Sequence, residues 1–279
     1  MVDLTPQLRM QRSRGDAAVS LDVRRGQTAL ADLYQSGSAK AMLPRVPGPV
    51  PEIVFLNTSG GLTGGDRVGY ALTLGPGCRA VATSQTAERA YASTGAVASF
   101  SFAADIGAGS RLDWLPQELL VYEDAHLSRQ TTVDLAADAT VLLVETVVLG
   151  RHAMGEDPKL SRLTDRRLVR REGRTVWAEA LRLTPDWLGQ GAAPALLGQA
   201  RAFSVIALIG PGAEAAAPRV RATLTEPDCE AAVSGWDGKC ITRLIAHDGW
   251  PLRRQVARVL DVLREAPLPR AWQMQGETR

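Results

Sequence analysis

Three acidic residues stand where an acid needs a reason. Asp66 closes the run Asn57-Thr58-Ser59-Gly60-Gly61-Leu62-Thr63-Gly64-Gly65-Asp66, which lies between the apolar stretch Ile53–Leu56 and the alternating Val68, Tyr70, Leu72, Leu74. Two Gly-Gly pairs so close together require positive φ, or a neighbour that leaves no room for a Cβ. Glu145 sits in Thr140–Leu149, where apolar residues fall on both parities, so that a strand there is covered on both faces. Glu179 shares strand parity with Trp177, Leu181 and Leu183, while Arg182 points the other way. A carboxylate taken out of water must be paired, bound to a metal or neutralised. Three chemistries fit: an ion pair with an arginine such as Arg151 or Arg182, an acid/base pair of the glycosidase kind, or a polar passage whose oxygen ligands hold a divalent cation loosely.

Other site types fit less well. A phosphate loop needs Gly-x-x-x-x-Gly-Lys-Ser/Thr entering a helix, yet Asp66 stands in the lysine's place and a strand pattern follows. Ser59 has no evident His and Asp partners. His126, His152 and His247 are all the histidines, with no His-x-x-x-His spacing, and His152 falls in a loop after a strand. Cys78, Cys229 and Cys240 are odd in number and widely spaced, against both a disulfide framework and a structural zinc site. Net charge is +2 with the signs interspersed, which makes no case for nucleic acid or an anionic membrane. Neither a signal-peptide core nor a membrane-length apolar run is present, so a cytoplasmic, reducing compartment is expected.

The elements that must position these acids are mostly strands. Residues 1–20 read as frayed or peripheral, and a strand pair is expected at Ser20–Arg25 and Thr28–Gln35. The proline-rich stretch 36–51 permits only edge strand or extended loop. From Ile53 to Leu149 short strands recur about every ten residues between Gly, Pro and Asp turns, the mark of a sandwich, barrel or β-helix-like stack. On one strand Leu127, Arg129, Thr131, Val133 and Leu135 share a parity. After a Gly/Ala/Pro-rich loop at 185–199, a strand covers Phe203–Ile209 and a short helix, interrupted by Pro218, covers Ala213–Ala222. A hairpin turns at Asp237-Gly238, and an amphipathic helix runs Trp250–Glu265, capped by Asp248, with Arg253, Arg254, Arg258 and Arg264 on a solvated face. The whole reads as one mainly β domain over 1–279, a two-layer, β-helix-like stack. It comprises a β-rich core at 20–184 and an α+β portion at 200–265, with about two helices in the last third.

In order along the chain, several segments resemble the urease accessory protein UreD (UreH) family. They are Phe55–Asp66, Gln85–Ser93, Leu112–Glu118, Leu149–Glu156 and Pro269-Arg270-Ala271-Trp272. Two departures stand out: a His-Pro-Pro-Gly-Gly wording is here Asn57-Thr58-Ser59-Gly60-Gly61, and a Lys-Phe-Tyr-Arg-Ser type segment is Arg89-Ala90-Tyr91-Ala92-Ser93. The resemblance implies a non-catalytic scaffold that binds urease apoprotein and UreF and, through UreF, the GTPase UreG. It also implies no tightly bound cofactor, with Ni²⁺ in transit through an internal channel. Family channel positions look like Asp66, Glu145 and Glu179; Glu118, following an apolar strand, is a further candidate. Carboxylate oxygens would suit transit, since a conduit must release what it admits. A purely structural adaptor and a β-rich carbohydrate hydrolase are the alternatives.

Overall fold

The computed structural model describes residues 11–151, 154–190, 196–264 and 266–273; the loop reading of His152 and the fraying expected of residues 1–10 lie outside them. Strand β1 (Arg14–Arg24) and β2 (Gln27–Gly37) form an antiparallel hairpin turned at Arg25 and Gly26, both at positive φ. The hairpin begins well before Ser20: Ala17 and Val19 are buried, and β1 pairs in parallel with the strand after the Gly-rich loop. The proline-rich stretch yields only β3 (Ala39–Met42), at one edge of its sheet. There follow β4 (Glu52–Asn57), β5 (Arg67–Leu74), β6 (Arg79–Ser84), β7 (Glu88–Ala90), β8 (Ala98–Ile106), β9 (Arg111–Leu115) and β10 (Leu119–Val121). The stack continues with β11 (His126–Leu135), β12 (Thr140–Leu149), β13 (Arg162–Arg171) and β14 (Arg174–Leu183).

Each circuit of the chain lays one strand on each of two sheets. On one, β5, β8, β11 and β13 run parallel; on the other, β4, β6, β9 and β12 do. This is the solenoid-like stack that the strand spacing predicts. Antiparallel neighbours finish each sheet: β2 beside β1 and β14 beside β13 on the first, and on the second β15 (Ala202–Ile209), β17 (Lys239–Ala246) and β16 (Cys229–Trp236) beyond β12. Between the layers Trp114 stacks on Phe102 with ring centroids 3.7 Å apart, and Phe55 stacks on Tyr70.

The second sheet is split. Residues 140–143 of β12 pair with β9, whereas residues 147–149 pair with β10, which in turn pairs with β7. Across Gln85–Ala87 and Pro116–Glu118 the chain leaves one ladder and joins the next. Pro116 has no N–H to give a ladder. The slot left between the two ladders lies at the level of Glu145.

Helices lie in the C-terminal region. α1 (Pro185–Leu188) is a single turn within the stretch expected to be loop. Pro218 sits in the first turn of α2 (Ala217–Ala222), where its missing N–H costs nothing, and so begins that helix instead of breaking it. α3 (Gly249–Leu263) starts where Asp248 Oδ1 accepts the Trp250 N–H at 2.9 Å. Its stripe of Leu252, Val256, Val259, Leu260 and Leu263 is buried with α2 in a second apolar cluster on the outer face of the second sheet. The arginines of α3 are not a free solvated face: Arg253 pairs with Glu118, Arg254 and Arg258 with the buried Glu226, and Arg264 lies 3.6 Å from Asp113. No described helix is long and apolar enough to cross a membrane.

Candidate functional site

The Gly-rich loop is built for backbone, as its composition demands. Gly60, Gly61 and Gly65 have positive φ, and a Cβ on Gly64 would stand 2.1 Å from Ser93 Oγ. Asp66 is buried because it closes this loop. Its Oδ1 accepts the Ser13 N–H at 2.7 Å and its Oδ2 the Thr63 N–H at 2.9 Å, which ties the start of β1 to the turn.

Glu145 faces the space between the layers, and opposite it charged residues replace apolar ones on successive strands. Register places Arg129 of β11 beside Asp165 of β13, and Arg167 of β13 beside Glu179 of β14. Glu145 Oε2 lies 2.8 Å from Arg129 Nη1, while its Oε1 accepts from Thr131 Oγ1 at 2.9 Å and Trp114 Nε1 at 3.3 Å. Arg129 Nη2 reaches Asp165 Oδ2 at 2.5 Å, and Arg167 pairs with the same oxygen. Arg167 then lies 3.5 Å from Glu179, whose other oxygen meets Arg243 of β17 at 2.9 Å. The result is an alternating chain, Glu145–Arg129–Asp165–Arg167–Glu179–Arg243, running from the core to the half-exposed edge between β14 and β17. The partners are Arg129, Arg167 and Arg243; Arg151 instead pairs with Glu156, and Arg182 is exposed on the opposite face of β14. Burial alone would raise the Asp165 carboxyl, but Arg129 and Arg167 outweigh it and hold the group below the usual carboxylate range. Burial likewise opposes the charge on Arg129, and Asp165 and Glu145 more than restore it. The chain is balanced, three acids against three guanidiniums.

The slot in the second sheet opens a cleft of about 690 Å³, its outer part included, that descends from Asn57, Gln85 and Thr86 past Trp114 to Arg129 and Glu145. Among its lining residues is Glu88, the first residue of β7. Its Oε1 accepts the Arg89 N–H at 3.1 Å, and both its oxygens lie 3.3–3.4 Å from Asn57 Nδ2. Burial pushes Glu88 up to about 7 against these bonds and the nearby Arg89. Buried Tyr70, raised by its own burial, is raised further by Glu88.

The family model described as UreD urease accessory protein matches residues 13–273. This chain belongs to that family. UreD of Cereibacter sphaeroides is 58% identical over 266 residues, 95% of this chain and 96% of the relative. UreD of Paracoccus denitrificans is 52% identical over 274 residues, 98% and 97% of the two chains. The Rhizobium leguminosarum protein of the same name is 39% identical over 275 residues, 98% and 100%.

In this chain the four acids suggested by sequence are not gathered at one point. Glu145 lines the cleft and Glu179 is the last acid of the charge chain that leaves it, whereas Asp66 organises the loop. Glu118 faces away, 2.6 Å from Arg253 Nη1. Among the described residues no three His, Cys, Asp or Glu side chains are grouped to hold a metal. Sequence reasoning missed Asp165 and Arg167, whose strand it did not foresee, and Glu88, which it quoted only as part of a motif. The available signal for Glu88 was one acid in the mostly polar run Gln85-Thr86-Ala87-Glu88-Arg89, too weak to stand out.

Glu88 carries a pH prediction. A carboxyl raised from about 4.5 to about 7 binds its proton more tightly in the folded chain. Its contribution is therefore fully present below the unfolded value and is lost as pH rises through about 7. The difference corresponds to about 3 kcal/mol. Urea titrations between about pH 5 and pH 8 should show stability falling across this window, and Glu88→Gln should flatten the fall. An unchanged slope in the variant would assign the dependence elsewhere.

Proposed function

We propose that this chain is a non-catalytic chaperone of urease maturation that holds urease apoprotein and UreF, and through UreF the GTPase UreG, and lets Ni²⁺ pass through its interior. The observation that carries this reading is the cleft through the split sheet. It reaches Glu145, from which polar side chains continue between the layers to Glu179 at the far edge. Asp165 Oδ1 has no protein donor among the described residues, which leaves an acceptor on that line. Ni²⁺ is cargo here, and carboxylate oxygens release it more readily than Cys or His clusters would. In the balanced state described, Arg129 and Arg167 occupy the acids, so passage requires these guanidiniums to swing away from Glu145 and Asp165.

The same pairing favours a second reading, a molecular adaptor in which the acids serve packing alone. Co-expression of the urease operon with Glu145→Gln separates the two. Passage predicts that the nickel content of purified urease falls several-fold while pull-down of UreF and apoprotein is undiminished. Joint loss of nickel and complex supports the adaptor, and no change in either rejects a role for Glu145. The hydrolase alternative has two carboxylates on one cleft, Glu88 and Glu145, but Trp114, Thr131 and Arg129 already engage both oxygens of Glu145. Aryl glycosides should not be turned over.

A further inference from the structure

At the deep end of the cleft the acids are held in ion pairs, and at its mouth they are not. Glu145 is answered by Arg129, and Asp165 by Arg129 and Arg167. Glu88, higher in the same cleft, has no ion-pair partner among the described residues. Arg89 lines the same mouth and its charge acts on Glu88, but its Nη1 donates to the Gly60 carbonyl at 3.4 Å and it makes no salt bridge with Glu88. What holds Glu88 is a side-chain amide whose orientation is fixed from behind: Asn57 Oδ1 accepts from Ser59 N at 3.1 Å and from Ser59 Oγ at 2.6 Å, which turns Nδ2 toward the carboxylate. A carboxylate kept in a fixed pose by neutral donors, with a solvent route in front of it and no guanidinium within ion-pair reach among the described residues, is open to a cation from solution.

We infer that Glu88 is the first cation ligand of the cleft, a weak oxygen-donor site for a divalent metal ion, with Asn57 as its positioning residue. Gln85 and Thr86, exposed on the same rim, offer amide, hydroxyl and carbonyl oxygens, and water completes the shell of a hard divalent ion. Where Glu88 is protonated, the ion displaces that proton to solvent, and no bond other than O–H is broken. A single charged ligand on a half-open rim gives fast capture and release, which is what the outer position of a transfer route requires. The site deepens the nickel reading above and rests on it for its biological role, but not for its chemistry.

The test is calorimetric titration of the full-length chain with NiCl₂ at fixed pH, comparing wild type, Glu88→Gln and, as a remote control on the exposed face of β16, Glu230→Gln. Wild type and Glu230→Gln should show the same weak site, and Glu88→Gln should lose at least tenfold in affinity. Glutamine keeps the size of the side chain and an acceptor for Asn57 and Arg89, so a thermal melt matching or exceeding that of wild type confirms folding. Glu88→Asp, which keeps the charge, should restore part of the binding. Absence of nickel binding by wild type, or equal binding by Glu88→Gln, overturns the inference. The rim site and the passage fail separately. If Glu88→Gln binds nickel normally while Glu145→Gln starves urease of nickel, the rim site is wrong and the passage stands. If Glu88→Gln loses nickel while urease made with it or with Glu145→Gln is fully loaded, the rim site stands and the passage falls.

Discussion

Asp165→Ala is expected to lower the free energy of unfolding by about 3–5 kcal/mol, the cost typical of removing one partner from a buried charge pair. Asp165 and both its arginines are almost wholly buried, and the one oxygen Asp165 Oδ2 receives a guanidinium from each side. Its removal leaves Arg129 and Arg167 as two like charges in an apolar layer, with Glu145 and the more distant Glu179 as remaining partners. Asparagine would keep the shape and lose the charge, and so should cost somewhat less. Urea unfolding at neutral pH gives the number, and Arg182→Ala, on the exposed face of β14, should stay within about 0.5 kcal/mol of wild type. A cost for Asp165→Ala below about 1 kcal/mol would mean that the chain of charges contributes little to the fold. Because the Asp165 carboxyl is depressed on folding, its contribution is present above the unfolded value near 3.9. It is lost only as pH falls through the lower folded value, so it acts against acid unfolding at the opposite end of the scale from Glu88.

Trp114→Ala should cost about as much, roughly 3–5 kcal/mol, for another reason. Trp114 is fully buried between the layers, stacked on Phe102 and edge-on to Phe55 with centroids 6.0 Å apart, so truncation leaves a void that two neighbouring rings cannot both fill. It also removes the Nε1–H donor to Glu145. In a chain of this size the melting temperature should fall by roughly 10 °C. Trp114→Phe retains most of the stack and loses the hydrogen bond, and should fall by about a third of that. Since Trp114 walls the cleft, the alanine variant also widens the way to Glu145. Equal melting temperatures for wild type and alanine variant would contradict the packing described here.

Where side chains alternate cleanly, the strands were legible from sequence. Val68–Leu74, Leu127–Leu135 and the Asp237-Gly238 hairpin all lie where expected, and Glu145 is buried with both faces of its strand covered. β13 was not legible. Its inward residues are Leu163, Asp165, Arg167 and Val169, so half of the buried face reads as polar, and Arg162, Arg166 and Arg170 on the other parity complete the disguise. The identity of the arginine partners failed for the same reason, since pairing across strands depends on register, which no local pattern carries. Arg129 was visible on an apolar parity, yet without β13 beside it nothing marked it as the centre of a charge chain. The first half of β1 was hidden by Gly15 and Asp16 and by a partner strand fifty residues downstream. Asp66 was legible as special, but the acceptor role that explains it involves the distant Ser13 N–H, which leaves no trace near the loop.

The division of the second sheet has a mechanical corollary. β7 and β10 hang on β12 by a ladder only three residue pairs wide, with a single bridge at Leu62 on their other side. Short ladders part at lower free energy than long ones, such as the eight pairs that join β12 to β15. The small panel carrying Glu88 is therefore the part of the second sheet expected to open first, and a protein leaning on it would change the bore of the slot while β12 keeps its eight-pair ladder to β15.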